Sequence, residues 1–549
     1  MKKIIIFILL AIVQFSAFSQ TTLLKNINGY TLNETGELVQ FSAMQFTDDK
    51  IDKIFTSNDI LPTKNIQEID GQGKTLLPGL IDAHGHVLGY ALSLMQVNLN
   101  NVLSEQEAVQ LAINFHKKHE NGQWLLGRGW NQVLWKDQQY PTAISLDEYF
   151  KNTPVWFSRI DGHAGWANSK AMELAGIDHT SVSPNGGEIV KDKQGKPTGI
   201  FIDNAMSLIT DNIPMITQKE MKEVLVIALN ELAKVGLTSV HDAGISNANI
   251  SAYKALALED KMPIRVNGMI YVDDKNLQEL LKHGHFKSPD DKFIINSVKI
   301  SADGALGSRG ASLIKDYSDL SNHRGLLLYN QETLASLIQT VMMAGFQVNT
   351  HAIGDNANKL VLDLYEKYIK STKTRNMRHR IEHSQILRLK DIPRFDELGV
   401  IASMQATHAT SDKNMAQDRL GEERILGAYA WQKLIKANAI IAGGSDFPIE
   451  SSNPFFGLHA SVTRQDHQNK PALGWFPEES MSIKEAFRTF TVNAAYAGHQ
   501  EDIIGILAKD KKADFILIDQ DIFAIQSSDI WKTKVLQTWV DGKQLTFNE

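Results

Sequence analysis

The sequence predicts an α/β chain organised as a (β/α)8 TIM barrel, flanked by a β-sandwich built from both chain ends and interrupted by one lid-like insertion. Three observations predict it. Between residues 79 and 499, short β-branched runs that end in polar residues alternate with helix-length amphipathic stretches. Strands alternating with helices imply a parallel sheet, and this many units close it into a barrel. Residues 20–78 and 500–549 instead carry short alternating segments such as Leu38-Val39-Gln40-Phe41 and Phe515-Ile516-Leu517-Ile518, a β-rich pattern. The stretch at about 120–200 breaks the barrel rhythm with Trp124, Trp130, Trp135, Trp156 and Trp166, as an insertion over the barrel mouth would. An open doubly wound sheet is the alternative, but no Gly-x-Gly-x-x-Gly opening supports it.

Composition narrows the class. The 549 residues are 43% hydrophobic and 22% charged, enough for a large core and unlike a disordered or fibrous chain. A formal charge of -7, from 56 basic and 63 acidic side chains without a basic stripe, argues against nucleic acid as a partner. Met1-Lys2-Lys3, the apolar run from Ile4 to Val13, and the small residues Ala17 and Ser19 read as a secretory signal over residues 1–19, cut after Ser19. The apolar run is shorter than the roughly 20 residues that span a bilayer. The expectation is an exported protein, periplasmic or secreted, with no stable membrane insertion once the signal is removed; assembly as a homodimer stays open. There is no cysteine, so disulfides, thiolate ligands and a cysteine nucleophile are excluded, and any metal must be held by nitrogen and oxygen.

The chemistry concentrates at strand ends. His84 and His86 close the first barrel strand as His-x-His, and positions i and i+2 of a strand point the same way. Alone, this pair is a weak signal. Later strands end in Lys299, His351, His383 and Asp446, and in α/β barrels the C-terminal strand ends converge on one mouth. Six convergent ligand-type groups fit a hydrolytic metal site. Taken singly, each keeps an ordinary reading: His351 and His383 as core hydrogen-bonders, Lys299 as a carboxylate partner, Asp446 as a turn cap.

The segments Pro78-Gly79-Leu80-Ile81-Asp82-Ala83-His84-Gly85-His86, Thr350-His351-Ala352-Ile353-Gly354-Asp355, Glu382-His383 and Gly444-Ser445-Asp446 resemble the metal-dependent amidohydrolase superfamily. The run from Val298 to Arg309, with Lys299 and Asp303-Gly304, and the run Asp161-Gly162-His163-Ala164-Gly165-Trp166 resemble its YtcJ-like branch, which includes N-substituted formamide deformylases. The resemblance spans nearly the whole mature chain. It implies that His84 and His86 ligate the more buried metal and His351 and His383 the outer one. Asp446 is then ligand and proton shuttle, and Lys299 stands where many relatives carry an N6-carboxylysine that bridges two metals. An unmodified Lys299 leaves a single-metal site.

Carboxylation needs a neutral amine, and burial beside cations depresses a lysine in that direction. Zinc is the favoured divalent metal because imidazoles dominate the set, with Mn²⁺ and Fe²⁺ also suited to it. Bound zinc lowers the pKa of water from 15.7 to about 7, and Asp446 would carry the proton to the leaving nitrogen. Around the mouth, His163, His241, Arg309 and His408 are candidates for polarising a carbonyl or orienting the substrate, and Trp130 and Trp135 for lining an apolar pocket. Structural roles compete at every one of these positions.

The leading expectation is hydrolysis of a C–N bond in a small amide or N-substituted formamide. A sister reading keeps the metal but takes an ester, lactone or cyclic imide. A third, a non-catalytic ligand-binding barrel, predicts broken metal ligands, whereas every expected position is filled. Serine catalysis lacks a Gly-x-Ser-x-Gly elbow.

Overall fold

A computed structural model describes residues 20–33, 35–63, 66–118, 124–159, 164–184, 187–214 and 216–547. The expected signal at 1–19 and His163 lie outside the described residues. Eight parallel strands build the barrel: β1 (Leu80–Gly85), β2 (Leu237–Ile245), β3 (Arg265–Tyr271), β4 (Phe293–Ser301), β5 (Gln347–Ala352), β6 (Arg380–His383), β7 (Ile401–Gln405) and β8 (Ile441–Gly444). They pair in chain order. The ring closes at the mouth, where the Asp446 amide donates to the His84 carbonyl at 2.7 Å and the His86 amide to the Phe447 carbonyl at 2.8 Å.

Period-two alternation explains why these runs are strands. Val240, Val266, Val298, Val348 and Ile381 face the surrounding helices, fully buried in one apolar shell. The connecting segments form helices because they carry a 3.6-period apolar stripe and explicit start signals. The helix Gln218–Lys234 opens on a capping box, Thr217 with Glu220, and buries Val224, Leu225, Ala228, Leu229 and Leu232. The helix Val492–Ala497 closes the barrel floor. Its Ala494, Ala495 and Ala497 pack on Ile81, Ile401 and Ala442, and the Ala497 and Gly498 carbonyls accept from Gln347, Asn267 and Asn296.

The chain ends form one continuous seven-stranded sheet, in the order Lys543–Gln544, Val535–Val540, Phe515–Ile518, Gln67–Pro78, Thr21–Leu32, Leu38–Thr47, Lys50–Phe55. The sheet folds over itself, so that its two ends face each other as the layers of a sandwich. Phe46 lies 5.8 Å from Phe515 and 6.0 Å from Trp539, ring to ring, although two strands intervene between Leu38–Thr47 and Phe515–Ile518. The register of Thr21–Leu32 against Leu38–Thr47 shifts between Lys25 and Gly29, an irregularity of the kind that bends a strand. Arg265 at the start of β3 is fully buried against Asp514 and Asp541, which ties this sheet to the barrel.

The insertion is a six-stranded sheet, and it starts earlier than the sequence reading placed it, at the strand Val97–Asn98. The helix Glu105–Lys118 that follows belongs to it. Its amphipathic pattern is the same as that of a barrel helix, so the boundary was hidden.

Candidate metal centre

The mouth gathers side chains from the C-terminal ends of β1, β4, β5, β6, β7 and β8. Gly444 lets β8 approach β1: a Cβ there would lie 2.6 Å from the His84 amide nitrogen and 2.7 Å from an Asp82 carboxylate oxygen. Two residues on, Asp446 stands at a φ of 62° with its Oδ1 3.0 Å from His86 Nε2 and 3.5 Å from His84 Nε2. His383 also has a positive φ, 74°, and its ring centroid lies 4.8 Å from that of His84. Positive φ at non-glycine residues stores strain, a recurrent feature of functional sites. One ligand atom each from His84, His383 and Asp446 falls within 4.8 Å of the others, the tightest such grouping among the described residues.

Neighbours decide which nitrogen each imidazole offers. His84 Nδ1 donates to Glu382 Oε2 at 2.5 Å, and His383 Nδ1 donates to Gln405 Oε1 at 2.8 Å. Both partners leave Nε2 as the lone-pair nitrogen, the outer-shell arrangement that fixes tautomer and ring orientation in metal sites. His84 Nε2 is buried and has no hydrogen-bond partner, a cost that a cation removes. Burial, and then the Lys299 charge, push His84 down to about 4. Burial and the neighbouring His351 hold His383 well below its ordinary value. Both are therefore neutral, as ligands must be. For Glu382 burial pushes upward, but the Arg380 guanidinium and His84 outweigh it and keep the carboxylate ionised. Asp446 follows the same logic: burial raises it, while the hydrogen bond from His86 holds it well below the usual range. Two neutral imidazoles and an ionised carboxylate, with no thiolate available, fit a divalent cation.

Around this trio the other expected donors take graded positions. His86 is held against Asp446 but is 37% exposed. The His351 ring lies 4.6 Å from His383, and its Nε2 is 3.5 Å from Asp303. Lys299 is buried at the end of β4, where burial depresses its amine despite Glu382 and Asp446. His408 stacks on His383 at 5.9 Å, accepts from Gln385 at Nδ1 and turns Nε2 to within 3.6 Å of Asp446 Oδ2.

Three expected substrate contacts are corrected. His241 points down the barrel, with Nδ1 2.9 Å from Arg380 and Nε2 beside Gly498 on the floor, because it sits one layer below the strand end. Arg309, a fourth candidate, pairs with Asp319 at 2.8 Å on the loop after β4 and is not one of the donor trio. Trp130 is fully buried in the core of the insertion, its indole N–H donating to the Phe157 carbonyl at 2.8 Å, so it lines no pocket. Trp135 likewise donates to Val102. Sequence reasoning assigned no role to Glu382, Arg380 or Gln405. The spacing Arg380-x-Glu382 places both inward on β6 and was a usable signal; the pairing of Gln405 with His383 joins different strands and left none.

A closed parallel barrel with this donor set at its C-terminal rim defines the class of metal-dependent TIM-barrel hydrolases. The amidohydrolase family model matches residues 67–546, and the chain belongs to that family. It is 33% identical to the protein LONG AFTER FAR-RED 3 of Arabidopsis thaliana, over 87% of this chain and 83% of that one. It is 32% identical to YtcJ of Bacillus subtilis, over 87% of this chain and 90% of that one. It is 26% identical to the N-substituted formamide deformylase of Arthrobacter pascens, over 86% and 89%. Among solved structures, an uncharacterized metal-dependent hydrolase from Pyrococcus horikoshii superposes with a TM-score of 0.77 at 26% identity, covering 92% of this chain and 99% of that one.

Proposed function

We propose that this metal-dependent amidohydrolase cleaves the C–N bond of a small amide, with N-substituted formamides as the first substrate class and zinc as the metal. The observation that carries the reading is the trio His84, His383 and Asp446, whose ligand atoms lie within 4.8 Å of one another at the barrel mouth. The deformylase activity named for the Arthrobacter pascens relative supports the substrate class.

His84, His383 and Asp446 would hold the ion, with His86 and His351 as the adjoining donors. A divalent ion bound there acidifies water and polarises a carbonyl. The protein supplies the rest. Glu382 and Gln405 keep the two imidazoles in the ligand tautomer. Asp446, ionised, accepts a proton at its carboxylate and returns it to the leaving nitrogen, so that water adds at the carbonyl carbon as the C–N bond breaks. With Nδ1 occupied by Gln385, His408 carries its proton on Nε2 and presents that N–H beside Asp446 to orient the substrate oxygen.

Two further proposals concern the chain's chemistry before catalysis. The depressed, buried amine of Lys299 supports carboxylation and a second ion. The basic start and apolar run of residues 1–19 support export and a mature chain beginning at Gln20. Elemental analysis and intact mass of purified protein test metal and carboxylysine, and N-terminal sequencing tests the cut. Turnover is tested by assaying the zinc-loaded protein on N-substituted formamides, N-acyl amino acids, lactones and hydantoins. Formamide cleavage is the expected result; lactone turnover without any amide turnover would overturn the C–N assignment.

A further inference from the structure

Beneath the donor trio, a file of buried polar groups runs down the barrel. His84 Nδ1 bonds Glu382 at 2.5 Å, and Arg380 grips Glu382 through Nε at 2.8 Å and Nη2 at 2.9 Å. Arg380 Nη2 is also anchored on the Ala83 carbonyl at 2.7 Å and the Ser403 hydroxyl at 2.8 Å. Its remaining nitrogen, Nη1, donates to His241 Nδ1 at 2.9 Å. A guanidinium can only donate, so Nδ1 must be the lone-pair nitrogen of His241 and the proton must sit on Nε2. That Nε2 faces the floor at Gly498, where a Cβ would lie 2.7 Å from it and 2.9 Å from Asn267 Nδ2. Gly498 has a φ of -93° and a ψ of 1°, which any residue adopts, so the backbone does not require glycine there. The space against His241 and Asn267 does.

All four side chains in the file are essentially excluded from solvent. Close-packed interiors transmit displacement rather than absorb it. We propose that His241 and Arg380 are positioning residues, and that the file Gly498–His241–Arg380–Glu382–His84 links the barrel floor to the aim of His84 Nε2 at the metal. The link rests on the reading of His84 as a ligand. It assigns His241 a role in the reaction through Arg380 rather than through substrate.

The test is cobalt affinity, by chelator competition, with the visible d–d spectrum as a readout of ligand geometry, on otherwise intact protein. His241→Ala removes the acceptor from Arg380, and Gly498→Ala pushes His241 from below. Each is expected to weaken Co²⁺ binding about tenfold, the lower end of what outer contacts to a ligand contribute, and to alter the spectrum. In the double variant the methyl group added by Gly498→Ala has no imidazole to displace and meets only Asn267, which is outside the file, so the loss of metal affinity should equal that of His241→Ala alone. His241→Gln, whose carbonyl can accept from Arg380, should recover most of the affinity. Wild-type affinity and spectrum in Gly498→Ala, or a loss as large in the His241→Ala background as in the wild type, would overturn the link. If Gly498→Ala does not fold, the comparison of His241→Ala with His241→Gln decides, and equal losses count against it. A wild-type protein that binds no cobalt or zinc would instead overturn the metal reading itself.

Discussion

Replacing Gln405 with leucine isolates the contribution of one orienting contact to the metal centre. Gln405 Oε1 accepts from His383 Nδ1 at 2.8 Å, and both side chains are buried, so no bulk water can take over the bond. Leucine is close to glutamine in length but offers no acceptor. In the metal-free fold the His383 N–H would be stranded, a cost of about 1–3 kcal/mol. With metal present the imidazole would lose the partner that fixes its tautomer, and affinity should fall about 10–100-fold, or about 1.4–2.8 kcal/mol. Gln405→Glu reverses the sign of the second effect, because a carboxylate acceptor makes His383 a more basic ligand. Zinc affinity from competition with a chromophoric chelator, together with thermal unfolding with and without metal, measures both quantities. If Gln405→Leu bound zinc as tightly as wild type and melted at the same temperature, the claim that β7 orients the β6 ligand would be wrong.

Three other expectations follow from the same geometry. The double variant His84→Ala/His86→Ala should purify as a soluble protein with its circular dichroism retained, zinc well below stoichiometric by elemental analysis, and no turnover. Stability should depend on His379, buried behind β6, where burial and then the His499 charge hold the imidazole down to about 3 while its Nδ1 accepts from the Val348 amide. Because the unfolded chain takes up that proton near 6.5 and the folded one does not, stability is intact above pH 6.5 and falls as pH drops, by about 1.4 kcal/mol per unit. Denaturant unfolding at pH 7.5, 6 and 5 should show a shallower fall for His379→Gln, which keeps an acceptor for Val348; parallel curves would refute the assignment. Trp130→Phe should cost about 1–3 kcal/mol by stranding the Phe157 carbonyl, with KM unchanged, and a raised KM would restore Trp130 to the substrate pocket.

What could be read from the chain and what could not divides along the period of the backbone. His84-x-His86 and the strand-terminal Lys299, His351, His383 and Asp446 stand out because strands in a parallel barrel all end at one rim, so a ligand-type residue at a strand end is already placed to within a few ångströms. His241 misled because it lies within β2 rather than at its end: one layer lower, the same inward direction leads to Arg380 and the floor. Trp130 misled because an insertion has no barrel period to read. The insertion boundary at Val97 was masked by a helix whose pattern matched its neighbours, and nothing in the residue pattern marks that the strands of the two chain ends join in one continuous sheet.

By itself, the order of residues determined the alternation that makes a parallel barrel, the absence of thiol chemistry, and which strands end in ligand-type side chains. Only the tertiary structure decided that His84, His383 and Asp446 form the closest trio, which nitrogen each histidine turns inward, and that Glu382, Gln405 and Arg380 enforce it. The physical reason is that strand periodicity specifies a direction for each side chain, whereas hydrogen-bond partners drawn from β1, β2, β6 and β7 are set by the barrel's curvature and its closure between β8 and β1, which no local pattern encodes.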